Sequence, residues 1–448
     1  MTRLVRGRRI LLGAAPLSLV AMLAGPIRAG ETVPARCELA ARARAPMSAA
    51  GLRGLEMLCS EDLERDGGPA PMPRSTGEEG GTKGKAAANV RVNDPLADPA
   101  VEDGTHITQS EVSVAYSGEG AVIGYNDSTH IFDGGSVSLT GYAHSSDGGA
   151  TWQDRGELQS AGGTSLVIGD PVLAARPDGT LFFANLFCTG QGALDRCPVG
   201  VSTSTDGGLT FGAPSQTWPT IPPSSFADKP WMAVDDSPTS PRSGRVYVAW
   251  ANFSSTTGDS PIMLTSSADG STWSPPVTVS DPTCAPGAGM PHAAQGIQLD
   301  VATNGDLYAS WWCFGDTSFS IRFDRSTDGG LTWGTDRIVA SFTEPSGDAI
   351  IDCGPPGSPS FTIVYRGNIR WNDLPSMTVN PQTGSIHLVW TQDPDGFGSG
   401  VDDAAVYHSR STDGGSTWSA PVILGSHATD QFFPVVRASS SGTVAVNW

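Results

Sequence analysis

One short phrase, Ser145-Ser146-Asp147-Gly148-Gly149-Ala150-Thr151-Trp152, recurs along this chain and decides its fold. It returns at residues 204–211 (STDGGLTF), 326–333 (STDGGLTW) and 411–418 (STDGGSTW). An eroded copy covers residues 266–273 (SSADGSTW) and, aligned on its Trp, has Ala268 where the others have Asp. The gaps between the key aspartates are 59, 63, 59 and 85 residues, the aspartates being Asp147, Asp206, Asp269, Asp328 and Asp413. Such recurrence predicts an array of similar supersecondary units.

The residues of the phrase are those of a tight turn stabilised by hydrogen bonds from its own side chains. Asp-Gly-Gly supplies positions that tolerate positive φ, as a tight hairpin needs. The Asp carboxylate can accept hydrogen bonds from backbone N–H groups two or three residues on, and the Ser and Thr hydroxyls can close the other side. A calcium loop is the alternative, but the oxygens are too few and too local for the roughly six to eight ligands that Ca²⁺ takes. The sequence therefore predicts a structural role for the five aspartates, and no metal.

The phrase resembles the Asp box, or BNR repeat, of the bacterial sialidase superfamily, over residues 108–448. Each unit has the same order: an apolar strand, a Gly turn, a second strand, a longer loop, a third strand, the box and a fourth strand. A sixth unit begins at residue 432 and has two strands, so its blade is expected to be incomplete. We predict an all-β fold, a six-bladed sialidase-like β-propeller of four-stranded antiparallel blades, with seven blades as the alternative.

The N-terminal part of the chain has a different composition. Residues 1–29 combine a basic start with an apolar run over residues 10–23 and small residues before Ala29, which predicts a secretory signal peptide. Residues 30–66 are predicted to be a helical segment and residues 67–89 a low-complexity linker, which together form a short helical or disordered extension. The propeller is expected over residues 90–448. This organisation predicts a secreted, extracellular or periplasmic protein with no membrane span.

Charge and cysteine content narrow the possible partners. The formal net charge is −19, and a surface this acidic repels nucleic acid and anionic membranes. Seven Cys in an exported chain favour disulfides over metal binding or catalysis. Cys188 and Cys197 are expected to close one loop, and two of Cys284, Cys313 and Cys353 to link neighbouring blades. We expect a monomer that needs no cofactor.

The propeller places its candidate site on one face. First strands line the central channel, and the loops before strand one and after strand two open beside it, on the face opposite the Asp boxes. Indole faces can stack on pyranose rings, while carboxylates bond sugar hydroxyls. The ligand-binding candidates at these positions are Asp127, Asp170, Asp228, Lys229, Trp231, Trp250, Trp312 and Trp390. The alternative is that Trp250 and Trp390 pack between blades and that the aspartates cap turns.

The resemblance also implies a catalytic set against which this chain can be compared. The enzymes of the superfamily resemble one another in three Arg that clamp a carboxylate, an Asp acid/base, and a Tyr nucleophile assisted by Glu. The early Arg-Ile-Pro motif is absent from the first blade, and only Arg366 and Arg370 are expected to face the channel mouth. The catalytic candidates are Asp228, Asp373, Glu111, Tyr365, Arg366 and Arg370.

The sequence thus predicts a secreted propeller that recognises a glycan or glycoconjugate on its channel face. Two alternatives stay open. One is catalysis, by an exo-sialidase or by another glycoside hydrolase with two of these carboxylates as acid and base. The other is a protein-interaction scaffold.

Overall fold

The computed structural model describes residues 90–92, 109–118, 120–127, 138–160, 165–189, 196–223, 225–254, 257, 259–282, 284, 293–314, 319–342, 374–393, 404–425 and 430–448, and the backbone of residues 349–352, 361–365 and 369–370. Within these residues every named element is a β-strand. The predicted signal peptide, helical segment and linker lie outside them. Among the described residues, no helix has the length and apolar character needed to cross a membrane.

The strands form antiparallel sheets, called blades here, that follow one another along the chain. Blade 1 comprises β1 (Gln109–Ser117), β2 (Gly120–Asp127), β3 (Thr140–Ser145) and β4 (Gln153–Glu157). Blade 2 comprises β5 (Leu166–Val167), β6 (Val172–Ala175), β7 (Leu181–Cys188), β9 (Val199–Ser204) and β10 (Ser215–Gln216), whereas β8 (Arg196–Cys197) pairs in parallel with blade 3. Blade 3 comprises β11 (Ser225–Val234), β12 (Val246–Ser254), β13 (Ile262–Ser267) and β14 (Val277–Thr278).

The second half of the chain continues the series. Blade 4 comprises β15 (Ala294–Val301), β16 (Leu307–Phe314), β17 (Phe319–Ser326) and β18 (Arg337–Phe342). An inserted sheet follows, with β19 (Ala349–Asp352), β20 (Phe361–Tyr365) and β21 (Ile369–Arg370). Blade 5 comprises β22 (Ser376–Val379), β23 (Ile386–Gln392), β24 (Ala405–Ser411) and β25 (Val422–Ile423), and blade 6 has β26 (Val435–Ala438) and β27 (Val444–Asn447). The insertion accounts for the long gap before the last Asp box.

The first strands of successive blades pack side by side. Strand β1 packs on β6, β6 on β11, β11 on β15, β15 on β22, and β22 on β26. This is the arrangement of a β-propeller, in which sheets of four strands stand around a central channel. The predicted fold class, an all-β propeller of antiparallel blades, is therefore confirmed. The number of six blades stays a prediction, because the described part of blade 6 has two strands.

The hydrophobic core lies between the blades rather than at one centre. One cluster joins blades 2, 3 and 4 and includes Phe182, Tyr247 and Trp311, all fully buried. Another joins blades 4 and 5 and includes Phe323 and Trp390. Because each cluster is shared by neighbours, the blades stabilise one another through burial of apolar surface.

The Asp boxes form the predicted self-fastened turns. In the box of blade 2, Ser204 Oγ donates to Asp206 Oδ1 (2.7 Å), Gly208 N donates to Ser204 Oγ (2.9 Å), and Thr210 donates to Asp206 through both N (3.0 Å) and Oγ1 (2.6 Å). The same set recurs in blades 1, 4 and 5. These bonds favour the ionised carboxylate, and hydrogen bonding to Thr151 and Thr417 lowers the pKa of Asp147 and Asp413 to about 2.

The eroded box of blade 3 is a deletion rather than a substitution. Ser267, not Ser266, donates its hydroxyl to Asp269 (2.9 Å), and Thr272 N donates to the same carboxylate (2.7 Å). Asp269 therefore holds the usual role, and the loop that follows it is one residue shorter. The sequence alignment on Trp273 placed Ala268 at the aspartate position because it allowed no gap.

In blades 2 to 5, one glycine of the Asp box lies close against the preceding blade. A Cβ on Gly208 in blade 2 would overlap Val122 in blade 1, and a Cβ on Gly415 in blade 5 would overlap Phe323 in blade 4. Gly270 and Gly330 likewise lie against Phe182 and Leu264 of the preceding blade. The boxes of blades 2 to 5 therefore need glycine here both for positive φ and for close packing on the blade before them.

Two disulfides join described cysteines. Cys188 bonds Cys197, as the spacing predicted, and Cys284 bonds Cys313. The second bond ties the connection that leaves blade 3 to the second strand of blade 4. Cys37, Cys59 and Cys353 lie outside the described residues.

Within the described part of the chain, the first and last blades each have one exposed face. In β1, Ser113 Oγ accepts a hydrogen bond from Leu173 N of blade 2 (2.9 Å), whereas Val112, Val114 and Tyr116 on the other face are exposed. In blade 6, Val436 is buried against blade 5 while its neighbour Val435 is exposed. An apolar stripe thus runs the length of β1.

Candidate functional site

A bulge recurs where the first strand of a blade begins, at the end of the channel opposite the Asp boxes, here called the channel mouth. The pairing register slips between Ser110 and Ser113 in blade 1, between Asp228 and Trp231 in blade 3, and between Gln295 and Gln298 in blade 4. In blade 2 the break falls between β5 and β6, and both pieces pair with β7. A repeated bulge re-aims the residue at its centre.

The residue at the centre of each bulge has a left-handed backbone, with φ between 46° and 69°. These residues, here called the bulge ring, are Glu111, Asp170, Lys229, Gly296 and, just before β26, Phe433. For a residue other than glycine this conformation costs roughly 1–2 kcal/mol. Four of the five are not glycine, so the fold bears this cost repeatedly at the mouth.

Three members of the bulge ring, from three adjacent blades, meet in one ionic cluster. Lys229 Nζ lies 2.6 Å from Glu111 Oε2 and 3.2 Å from Asp170 Oδ1. The side chains of Lys229 and Glu111 are 23% and 28% exposed, whereas that of Asp170 is 3% exposed. Glu111 and Lys229 can therefore touch a ligand, while Asp170 supports them from below.

Hydrogen bonds around the mouth link the residues of the cluster to neighbouring blades. Asn126 Oδ1 of blade 1 accepts from Asp170 N of blade 2 (2.8 Å), and Asp170 Oδ2 accepts from Lys229 N of blade 3 (3.3 Å). Asp228 Oδ2 then accepts from Gln295 Nε2 of blade 4 (2.5 Å). The buried side chains of Asn126 and Asp228 thus position the bulges of their neighbours.

Burial and mutual charge set the protonation of the cluster. Burial raises the pKa of Asp170 well above its usual value, Lys229 opposes this, and the charge of Glu111 together with its hydrogen bond to Asp170 raises it further. Burial lowers the pKa of Lys229, but Asp170, Glu111 and Asp228 outweigh this effect, so the net shift is upward. Lys229 is therefore charged in this cluster, and burial favours the protonated form of Asp170 beside it.

The structure brings together several of the residues that the sequence singled out. Glu111, Asp170, Asp228 and Lys229 form or adjoin the cluster. Asp127 ends β2 nearby and is nearly buried. Tyr365 lies on β20 and Arg370 on β21 of the inserted sheet, of which only the backbone is described. Arg366 and Asp373 lie outside the described residues.

The predicted tryptophans separate into two groups. Trp250 and Trp390 are fully buried, so they pack between blades and offer no face to a ligand. Both lie within apolar second strands, which is why the sequence could not distinguish packing from stacking. Trp231 and Trp312 are half-buried, and Trp312 stacks on Phe319 with ring centroids 5.7 Å apart.

The channel holds a basic residue that the sequence did not assign to it. The Arg437 guanidinium of blade 6 lies 5.6 Å from the ring centroid of Trp231 in blade 3. Burial lowers the pKa of Arg437, and the nearby acid Asp300 of blade 4, whose Oδ2 accepts from Val379 N (2.8 Å), offsets part of this effect. Arg437 is the third residue of β26, so it lies within a strand and not in a loop at the mouth.

Aromatic residues lie on the far side of the mouth. Phe432 and Trp312 both pack against Ala404, and Phe433 meets Phe432 edge to face at 5.2 Å between centroids. The signal that could have found Phe433 is its following proline, since Asp170-Pro171, Lys229-Pro230 and Phe433-Pro434 repeat one pattern.

No family model and no curated protein sequence matches the chain. Among solved structures it is similar to the GH93 α-L-arabinofuranosidase of Fusarium graminearum in complex with arabinobiose, at 12% identity and a TM-score of 0.47, over 79% of this chain and 90% of that one. It is also similar to the intramolecular trans-sialidase from Ruminococcus gnavus, at 12% identity and a TM-score of 0.45, over 76% and 89% of the two chains. A third is the Penicillium chrysogenum α-L-arabinanase, at 13% identity and a TM-score of 0.44, over 75% and 86%.

These are likenesses of fold. The assignment of the chain as a sialidase-like Asp-box propeller rests on its own successive blades and on its five boxes.

Proposed function

We propose that this protein is a secreted propeller that binds a glycan at the channel mouth, over the cluster of Glu111, Asp170 and Lys229. The observation that carries the proposal is that three strained residues from three blades place their charged groups in one contact. Backbone strain of this kind concentrates at functional sites.

The chemistry of the mouth suits a hydroxyl-rich ligand. Glu111 offers carboxylate oxygens and Lys229 offers N–H donors, and both side chains are partly exposed. Half-buried Trp231 and Trp312 add aromatic surface nearby. Specific small-ligand sites combine such apolar faces with a few well-placed polar groups.

Two disulfides support the secreted part of the proposal, because disulfides persist in oxidising compartments.

A glycan array tests the binding proposal directly. The purified protein is expected to bind a subset of a mixed array of neutral, uronic and sialylated oligosaccharides, and Glu111→Gln is expected to weaken that binding at least tenfold. Asp178→Asn is the matched control, because Asp178 is an exposed carboxylate at the turn between the first and second strands of blade 2, on the Asp-box face. Equal loss in both variants, or no binding by the wild type, would contradict the proposal. The protein-interaction scaffold, which the apolar stripe on β1 supports, would then be the better account.

Glycoside hydrolysis is a second candidate, favoured by two carboxyl groups from adjacent blades, Glu111 and Asp170, that meet at Lys229, and by the burial that raises the pKa of Asp170. General acid catalysis of glycoside cleavage uses a carboxyl group with a raised pKa. A panel of fluorogenic glycosides, a sialoside included, tests it. Turnover lost in Glu111→Gln and in Asp170→Asn supports hydrolysis at this cluster. Sialoside turnover lost instead in Arg370→Ala would favour the exo-sialidase alternative, and no turnover would leave binding alone.

A further inference from the structure

Phe433 occupies the same position in blade 6 that Glu111, Asp170 and Lys229 occupy in blades 1, 2 and 3. We propose that Phe433 is the aromatic platform on which a sugar ring of the ligand stacks at the rim of the channel. The inference rests on the proposed glycan site and adds to it a residue that determines specificity.

The backbone conformation of Phe433 is unfavourable for a phenylalanine. Its φ is 56°, in the region where glycine is favoured and a bulky residue is an outlier. The following Pro434 restricts it further, because the residue before proline prefers extended conformations. A glycine at this site would remove a cost of roughly 1–2 kcal/mol.

The side chain of Phe433 contributes little packing to the fold. It is 47% exposed, so much of its apolar surface remains in water. Its ring contact is an edge-to-face one with Phe432, and Phe432 itself packs against Ala404. Packing therefore explains Phe432, whereas it does not explain an exposed ring on a strained backbone next to it.

The place of Phe433 supplies the explanation. At the equivalent bulge, three blades project the charged groups of the candidate site. An exposed aromatic face at the same level completes a sugar site, because hydroxyl contacts orient a ring and an aromatic face covers its apolar C–H side. The two kinds of contact come from opposite ends of the series of blades, so a ligand across the channel mouth can use both.

Two substitutions separate this role from folding. Phe433→Gly relieves the backbone strain, so its midpoint of thermal unfolding is expected to equal or exceed that of the wild type. Its affinity for the best oligosaccharides of the array is expected to fall about tenfold, the loss of one aromatic contact. Phe433→Leu keeps apolar bulk without an aromatic face and is expected to lose affinity to a similar extent.

Array binding and calorimetry on the wild type and both variants distinguish the outcomes. Wild-type binding that either variant retains in full overturns the role of Phe433 and leaves the proposed glycan site standing. Absence of binding by the wild type overturns the proposed function, and this inference with it. Leu331→Gly is the control, since Leu331 is an exposed apolar residue in the Asp box of blade 4, on the opposite face, and its loss should leave affinity unchanged.

Discussion

At the scale of single residues, the mouth shows charged groups placed by an unfavourable backbone. Glu111, Asp170 and Lys229 accept left-handed φ, and their side chains then share one contact. Asn126 and Gln295, which bond the neighbouring blade, hold the arrangement in place. The strain is thus offset by hydrogen bonds that link four blades.

Asp170 gives the residue-scale prediction. Its raised pKa means that the folded protein holds this proton to higher pH than the unfolded chain does. Its contribution to stability is therefore complete below the unfolded value of about 3.9 and is lost as pH rises through the folded pKa, at about 1.4 kcal/mol per pH unit. The side chain of the Asp170→Asn variant cannot ionise and keeps a donor for Glu111. The free energy of unfolding of this variant should therefore increase relative to that of the wild type as pH rises.

Chemical denaturation of both proteins from pH 4 to pH 8 measures the effect. Asp178→Asn is the control without a trend over this range, because hydrogen bonding to Thr180 lowers the pKa of Asp178 and its contribution to stability changes only below about pH 4. A difference between wild type and Asp170→Asn that stays constant with pH would mean that Asp170 is ionised in the folded protein.

Residue roles were predictable from sequence where they depend on local chain geometry. The box serines, aspartates and threonines bond within four residues of one another, so their turn could be predicted from the phrase alone. Glu111, Asp170 and Lys229 were found because they precede or begin first strands. Phe433 and Arg437 were missed, because their importance depends on which blade lies across the channel, and sequence spacing does not encode that.

At the scale of the element, the Asp box is a turn that also packs on its neighbour. Its first glycine is free of contact in blade 2, since a Cβ on Gly207 would meet nothing within 4 Å. Its second glycine lies against Val122 of blade 1. The two glycines of this box therefore meet two different physical needs.

Adjacent glycines in one box therefore give a matched pair of substitutions. Gly207→Ala places a Cβ at φ 76° in open space and should cost roughly 1–2 kcal/mol, the price of a left-handed residue. Gly208→Ala adds an overlap with Val122 and Leu181, so it should cost about 1–3 kcal/mol more, as overpacked cores do. Urea denaturation of the two variants compares them, and equal destabilisation would show that blade spacing does not depend on this glycine.

At the scale of the molecule, the sequence repeat predicts the fold but makes binding residues hard to distinguish from packing residues. The five boxes gave blade spacing and strand order, and the sheets follow that order closely. The inserted sheet between blades 4 and 5 broke the spacing and could not be anticipated, since its strands carry no box. Trp250 and Trp390 are examples: both were binding candidates and both are buried, because equivalent positions in a repeat recur for packing as readily as for binding.

The whole molecule also predicts where a ligand must bind. First strands begin at the mouth with their bulges, and the boxes lie at the other face. A ligand at the mouth should therefore slow exchange of backbone amides at the bulges and leave the boxes unchanged.

The most direct test of this account is hydrogen–deuterium exchange with and without the oligosaccharide that gives the strongest array signal. We predict that the ligand protects residues 109–113, 168–172, 226–231 and 431–436, with no change in the boxes at residues 204–211 and 411–418. Protection confined to the box face, or to the exposed stripe of β1, would contradict a glycan site at the channel mouth.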